Sequence, residues 1–167
     1  TAFKNVFQHI YTQAIKNDII EKNLADLIIP AQKQRGNRKP FTYEQIEQIK
    51  EFKHKYNDIA VILLYTGLRI NELLEIEKKN VHLEERYMIG GKKTKAGLNR
   101  VIPIHEEIYP LIEKHYNNST TYLIENNKSP VNYYTFMHTY WERLKQHLGT
   151  DQTPHCTRHT FITYADK

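Results

Sequence analysis

Apolar residues recur at helical spacing over most of the chain. Phe3, Val6, Phe7, Ile10 and Ala14 share one face of a helix over 2–16, which Asn17-Asp18 breaks. A single amphipathic helix cannot bury its own stripe, so this one must belong to a larger helical domain or dock on the rest of the chain. A short helical turn is expected around Asn23 to Leu27. Thr42 followed by Gln45 is a capping-box signature, and Ile46, Ile49, Phe52 and Tyr56 carry the helix behind it over about 43–56. Asp58 is placed to cap the apolar run IAVILLYT, and Gly67 to end it. Ile70, Leu73, Leu74 and Ile76 make a further short helix, which puts Arg69 at a helix–helix junction beside a buried segment.

The period then changes. Val81-His82-Leu83, Tyr87-Met88-Ile89 and Arg100-Val101-Ile102-Pro103-Ile104 are short β-like runs divided by turn signals, expected to form a small antiparallel sheet. The tip of its second hairpin, Gly90 to Gly97, carries Lys92, Lys93 and Lys95; lysines there can serve solubility and edge protection alone. Helical spacing returns at Ile108, Leu111, Ile112 and His115 and stops at Asn117-Asn118-Ser119. A short extended piece, Tyr122-Leu123-Ile124, leads into the turn ENNKSP. Tyr133, Met137, Tyr140, Trp141, Leu144 and Leu148 form one stripe closed by Gly149, read as core rather than as a base-stacking platform. Pro154 opens a last helix. The fold class is α+β, mainly helical with a small three-stranded antiparallel sheet.

Residues 29–40, IPAQKQRGNRKP, break every period. They hold two Pro, one Gly and the bases Lys33, Arg35, Arg38 and Lys39 without an acid, which reads as a linker able to lie along a nucleic-acid backbone. Net charge is +5 with pI near 9.1, which favours a polyanionic partner. The single Cys156 excludes an internal disulfide and fits a reducing compartment. No apolar run reaches membrane-spanning length, and no signal peptide is visible. The first residue is Thr1, so the sequence reads as a fragment at that end.

Candidate chemistry gathers in three stretches. In PHCTRHTF, His155 and Arg158 are three apart on one helix face, a ring N–H and a guanidinium fork that suit one phosphate. Arg69 and a hairpin lysine add two further cations. Two arginines and a lysine stabilise a phosphate whose charge rises in a transition state, and a histidine adds proton transfer. His155 and His159 have the spacing of half a zinc site, but Cys156 stands where a zinc-protease motif needs Glu, and no metal is expected.

Together these stretches resemble the tyrosine recombinases, or phage integrases. TGLRINELLEI resembles their first box, PHCTRHTF their His-x-x-Arg-His box, and GGKKTKAGLNRVIPI the hairpin carrying the catalytic lysine. The likeness covers about residues 41–167 and implies a recombinase catalytic domain. Residues 1–28 resemble the end of a helical core-binding, DNA-clamp domain, joined by the linker 29–40. The implied function is site-specific recombination of a mobile element through a 3′-phosphotyrosyl intermediate, with no metal or nucleotide cofactor. By the resemblance Arg69 and Arg158 clamp the scissile phosphate and His155 is the acid/base helper. Lys93, or alternatively Lys95, protonates the leaving 5′-oxygen, and Glu72 and His159 support these groups. Lys33, Arg35, Arg38 and Lys39 would follow the DNA backbone. The family's nucleophilic tyrosine lies a helix or two beyond the second box, so it is expected beyond Lys167, and Tyr164 is read as a packing residue. The implied partners are double-stranded DNA and further copies of the chain, as a tetrameric synapse, in the bacterial cytosol or nucleoid. A type IB topoisomerase and a DNA-binding module without catalysis are the alternatives.

Overall fold

The computed structural model describes residues 2–29, 39–91 and 99–165. The chain divides into two compact units, one carrying residues 2–29 and the other the remainder. In the first, helix α1 (Ala2–Lys16) and a 3₁₀ turn (Leu24–Leu27) pack together. The Asn23 side chain caps the turn, and Lys4 Nζ donates to the Ile28 carbonyl at 3.1 Å. Phe3, Val6 and Ile10 of its apolar stripe remain exposed.

The second unit runs α2 (Tyr43–Glu51), α3 (Asn57–Thr66), α4 (Ile70–Leu74), β1 (Val81–His82), β2 (Tyr87–Gly90), β3 (Arg100–Pro103) and α5 (Tyr109–Asn118). It continues through β4 (Glu125–Asn126), β5 (Ser129–Pro130), α6 (Tyr133–Phe136), α7 (Glu142–Leu148) and α8 (His155–Ala165). The first three strands form one antiparallel sheet in the order β1-β2-β3, with Met88 opposite Val81 and Ile102, and Gly90 opposite Arg100. Among the described residues, no helix is long and apolar enough to cross a membrane.

Two helix ends differ from the sequence expectation. The helix behind Thr42 stops at Glu51, because Phe52 turns to an extended conformation and packs against the rings of His54, Tyr140 and His147 instead of continuing the stripe. Asp58 does not cap α3: Tyr56 holds that position, and the Asp58 carboxylate reaches Lys114 at 2.8 Å and His115 at 3.1 Å on α5. The stretch ENNKSP is a two-residue hairpin, β4–β5, whose Asn127 and Lys128 both take the left-handed conformation that such turns require. The aromatic stripe is helical throughout but widens into a π-turn over Met137–Trp141, which brings Tyr140 and Trp141 side by side into the core while Tyr133 stays exposed.

The core of this unit is apolar helix α3 wrapped by α2, α5, α7 and α8, with Phe41, Phe136, Tyr140 and Trp141 filling its centre. Several of its buried polar groups are paired across the core. Asn57 donates to the Ile49 carbonyl at 2.9 Å and accepts the Tyr140 hydroxyl at 2.8 Å, and Trp141 Nε1 donates to the Gln152 carbonyl at 2.9 Å. Gln152 Nε2 donates to the Lys39 carbonyl, and the Phe41 amide donates to Thr160 Oγ1, both at 2.8 Å. Residues 39–41 are thereby pinned to the entry and the middle of α8.

Candidate phosphate-binding site

The site begins at the end of α3. Gly67 takes a left-handed φ of 59° and its N–H donates to the Leu63 carbonyl, so the apolar helix ends at once. Leu68 turns into the core, and Arg69 becomes the residue before the first turn of α4. Glu72, three residues on, closes this junction twice. Its Oε2 accepts the Arg69 backbone N–H at 3.0 Å, and its Oε1 accepts Arg69 Nη1 at 2.7 Å. The Glu72 side chain is 7% exposed while that of Arg69 is 41% exposed, so the carboxylate is the anchor and the guanidinium reaches outward. Burial alone would raise the Glu72 carboxyl; the Arg69 amide and guanidinium, with Arg100 behind them, outweigh it and hold the group below its usual range.

Arg69 and Glu72 line a cleft of about 210 Å³ with Ile70, Asn71, Tyr133, Thr153, Pro154 and His155. His155 is the first residue of α8, so the positive end of that helix opens on the same cleft. Its ring lies 4.9 Å edge-on from that of His159, one turn later. His159 Nε2 is buried and has no hydrogen-bond partner among the described residues. Arg158 approaches from α8 by another route: its Nη1 donates to the Gly67 carbonyl at 2.5 Å, two residues before Arg69. Burial lowers its guanidinium pKa, and the neighbouring charges of Arg100 and Arg69 lower it further. Thus Arg69 and Arg158 stand within electrostatic reach of one another, both attached to the α3–α4 junction.

Sequence reasoning passed over two residues. Arg100 begins β3 and lies with Nη2 3.5 Å from Glu72 Oε2; in the sequence it reads only as the start of a strand. Tyr133 lines the cleft although its spacing assigned it to the core stripe; the adjacent Asn132, which caps α6 through the Tyr134 and Thr135 amides, was the available sign of a helix start at the surface. Tyr164 donates to the Phe41 carbonyl at 3.2 Å and packs on Tyr43 at 4.6 Å. Lys39 is exposed. Lys93, Lys95, Lys33, Arg35 and Arg38 lie outside the described residues. No cluster of three metal-ligating side chains occurs among the described residues.

Comparisons with known proteins agree on one family. Residues 39–164 match the model of the phage integrase family. Tyrosine recombinase XerA of Saccharolobus solfataricus is 33% identical over 125 residues, covering 74% of this chain and 41% of that protein. XerA of Thermococcus kodakarensis is 28% identical over 152 residues, covering 84% of this chain and 53% of that protein, so the chain spans about half the length of these relatives. Among solved structures, the Tn1549 transposon integrase in complex with circular intermediate DNA is 26% identical with a TM-score of 0.74, over 99% of this chain and 65% of that one. The lambda integrase tetramer bound to a Holliday junction has a TM-score of 0.75 at 18% identity, over 98% of this chain and 53% of that one, a likeness of fold. With three quarters of its length inside the family model and its helices and sheet arranged as in these structures, the chain belongs to the phage integrase family, the tyrosine recombinases.

Proposed function

We propose that this chain is the phosphate-clamping part of a site-specific DNA recombinase that moves a mobile element. One observation carries the reading. Arg69 and Glu72 line one cleft with His155, which is remote from them in sequence, and Arg158 is tied to the same junction through Gly67. An arginine fork matches two oxygens of a phosphodiester, and a second guanidinium nearby stabilises the extra charge of the pentacovalent transition state. In the proposed reaction a tyrosine hydroxyl attacks phosphorus, a 3′-phosphotyrosyl bond forms and the 5′-oxygen leaves with a proton. The hydroxyl of another strand reverses the step. The bond energy stays in the covalent link, so no nucleotide cofactor is needed.

Arg69 and Arg158 hold the phosphate and His155 moves or stabilises the proton. Lys93, with Lys95 as the alternative, protonates the leaving oxygen; Glu72 and His159 support them. The attacking tyrosine is assigned beyond Lys167, because the Tyr164 hydroxyl is engaged by the Phe41 carbonyl and its ring by Tyr43. Residues 1–28 are the end of a helical DNA-clamp domain, and Lys33, Arg35, Arg38 and Lys39 of the linker 29–40 follow the DNA backbone. Double-stranded DNA is the partner, with four copies assembling on paired sites.

A trapping assay on nicked DNA bearing the element's site tests this reading. This chain is compared with a version extended at its C-terminus, and a covalent protein–DNA band is sought. The expected result is an adduct with the extended protein alone. An adduct with these residues would make Tyr164 the nucleophile. Binding without an adduct from either protein would reduce the site to a DNA-holding module.

A further inference from the structure

Arg100 stands opposite Gly90 at the base of the β2–β3 hairpin. Its Nε and Nη2 are both buried and neither has a hydrogen-bond partner among the described residues. A buried donor left unpaired is costly, and such groups call for an explanation. An acceptor stands close by: the Glu72 carboxylate, whose Oε2 lies 3.5 Å from Arg100 Nη2. Oε2 already takes the Arg69 amide, but a carboxylate oxygen has a second lone pair to offer. Arg69 and Arg100 therefore share a single carboxylate, and Arg158 adds a third positive charge within electrostatic reach, a net positive centre before any ligand arrives.

We propose that Arg100 is a positioning residue of the phosphate clamp, sharing the Glu72 carboxylate with Arg69 and so fixing the base of the β2–β3 hairpin to the α3–α4 junction. The inference rests on the recombinase reading above. Nε and Nη2 are shielded from solvent, so this face of Arg100 acts through Glu72 and does not touch DNA. Its presence limits how far Glu72 can draw on Arg69. Without it, the carboxylate is free to take Arg69 in a two-point fork and withdraw the donors that the phosphate needs.

The test uses the full-length protein and nicked site DNA, with the variants Arg100→Gln, Arg100→Lys, Glu72→Gln and the double variant Arg100→Gln/Glu72→Gln. Arg100→Gln is expected to slow single-turnover cleavage about 30-fold while DNA affinity changes less than about threefold, the signature of an interaction felt in the transition state. Arg100→Lys should recover part of the rate, and in the Glu72→Gln background the Arg100→Gln effect should shrink to about threefold or less. The salt dependence of DNA binding should be unchanged; a slope reduced by about one would make Arg100 a direct phosphate contact and overturn the proposal. Full-sized rate loss in the Glu72→Gln background, or no rate loss at all, would overturn it too. Melting temperatures without DNA of the unaltered protein, Arg100→Gln, Glu72→Gln and the double variant read the Arg100–Glu72 link separately: non-additive losses support it and additive losses refute it. Absence of cleavage by the unaltered protein, with that coupling present, would instead sink the recombinase reading.

Discussion

Arg158 donates to the carbonyl of Gly67, the left-handed residue that ends α3 two positions before Arg69. One turn of backbone therefore serves both arginines, leading from the end of α3 to Arg69 at the start of α4 and receiving the side chain of Arg158. A Cβ at Gly67 would lie 2.4 Å from Phe161 Cδ1, and its φ of +59° is costly for alanine. Gly67→Ala is expected to destabilise the protein by roughly 2–3 kcal/mol, from left-handed strain plus the clash. Equilibrium denaturation checks this. Phe161→Ala in the same background should recover the clash part and leave the strain; full recovery would show that φ is unimportant.

The two arginines are not interchangeable with lysine under the proposed chemistry. A lysine keeps the charge but loses the fork, and in place of Arg69 it cannot hold Glu72 and a phosphate at once. Arg69→Lys and Arg158→Lys should each lower single-turnover cleavage by about 10²–10³-fold, the range seen for loss of one transition-state donor. DNA affinity should fall far less. Filter binding and covalent trapping on the same DNA separate the two. Equal losses in affinity and rate would mean that the arginines only hold the ground state.

Much of this site was legible in the chain. The capping box at Thr42 and Gln45, the end of α3 at Gly67 and the three strands follow from local chemistry, which the tertiary structure leaves intact. Arg69 and His155 were found because each sits at a helix start marked by Gly67 or Pro154. Arg100 was not, because a strand residue gives no local sign of the carboxylate it will meet: Glu72 comes to it only in the fold. Phe52 and Asp58 failed for a related reason. Both are drawn out of their helical roles by distant partners, Tyr140 and His147 for one, Lys114 and His115 for the other. Periodicity registers what a segment prefers, and these partners act across the fold.

The capping box also makes a prediction. Thr42 Oγ1 accepts the Gln45 amide at 3.3 Å, and Gln45 Oε1 accepts the Thr42 amide at 3.0 Å. Thr42 adjoins Phe41, whose amide is bound to Thr160 of α8. Thr42→Ala should cost about 1 kcal/mol by thermal or chemical denaturation. Thr42→Ser, which keeps the acceptor, should cost only a few tenths of that range. A serine variant as unstable as the alanine would place the effect in the lost methyl group instead.

Asp58 gives the acid limb of stability a named contributor. Its Oδ2 lies 2.8 Å from Lys114 Nζ and 3.1 Å from His115 Nε2, joining α3 to α5, and its side chain is only 18% exposed. The His115 hydrogen bond, with Lys114 behind it, holds the carboxyl below its ordinary value of 3.8 against the opposing effect of burial. A carboxyl depressed in the folded state binds protons more readily once unfolded, so folding gains from it at neutral pH. That gain is complete above the unfolded value and is lost as pH falls from there through the lower folded value. Lys114 is 62% exposed, and solvent screens its share, so the whole contribution is about 1 kcal/mol. Asp58→Asn should therefore be less stable than the parent by about this amount at pH 7, and the gap should close below about pH 3.8. Urea denaturation of both proteins at pH 7, 5 and 3 measures it. Glu72 and Glu125 also sit below their usual range, Glu125 at about 2, and weaken both proteins alike in acid, so only the difference between the two curves reports on Asp58. A gap that persists unchanged at pH 3 would mean that the neutral carboxyl holds α5 as well as the charged one.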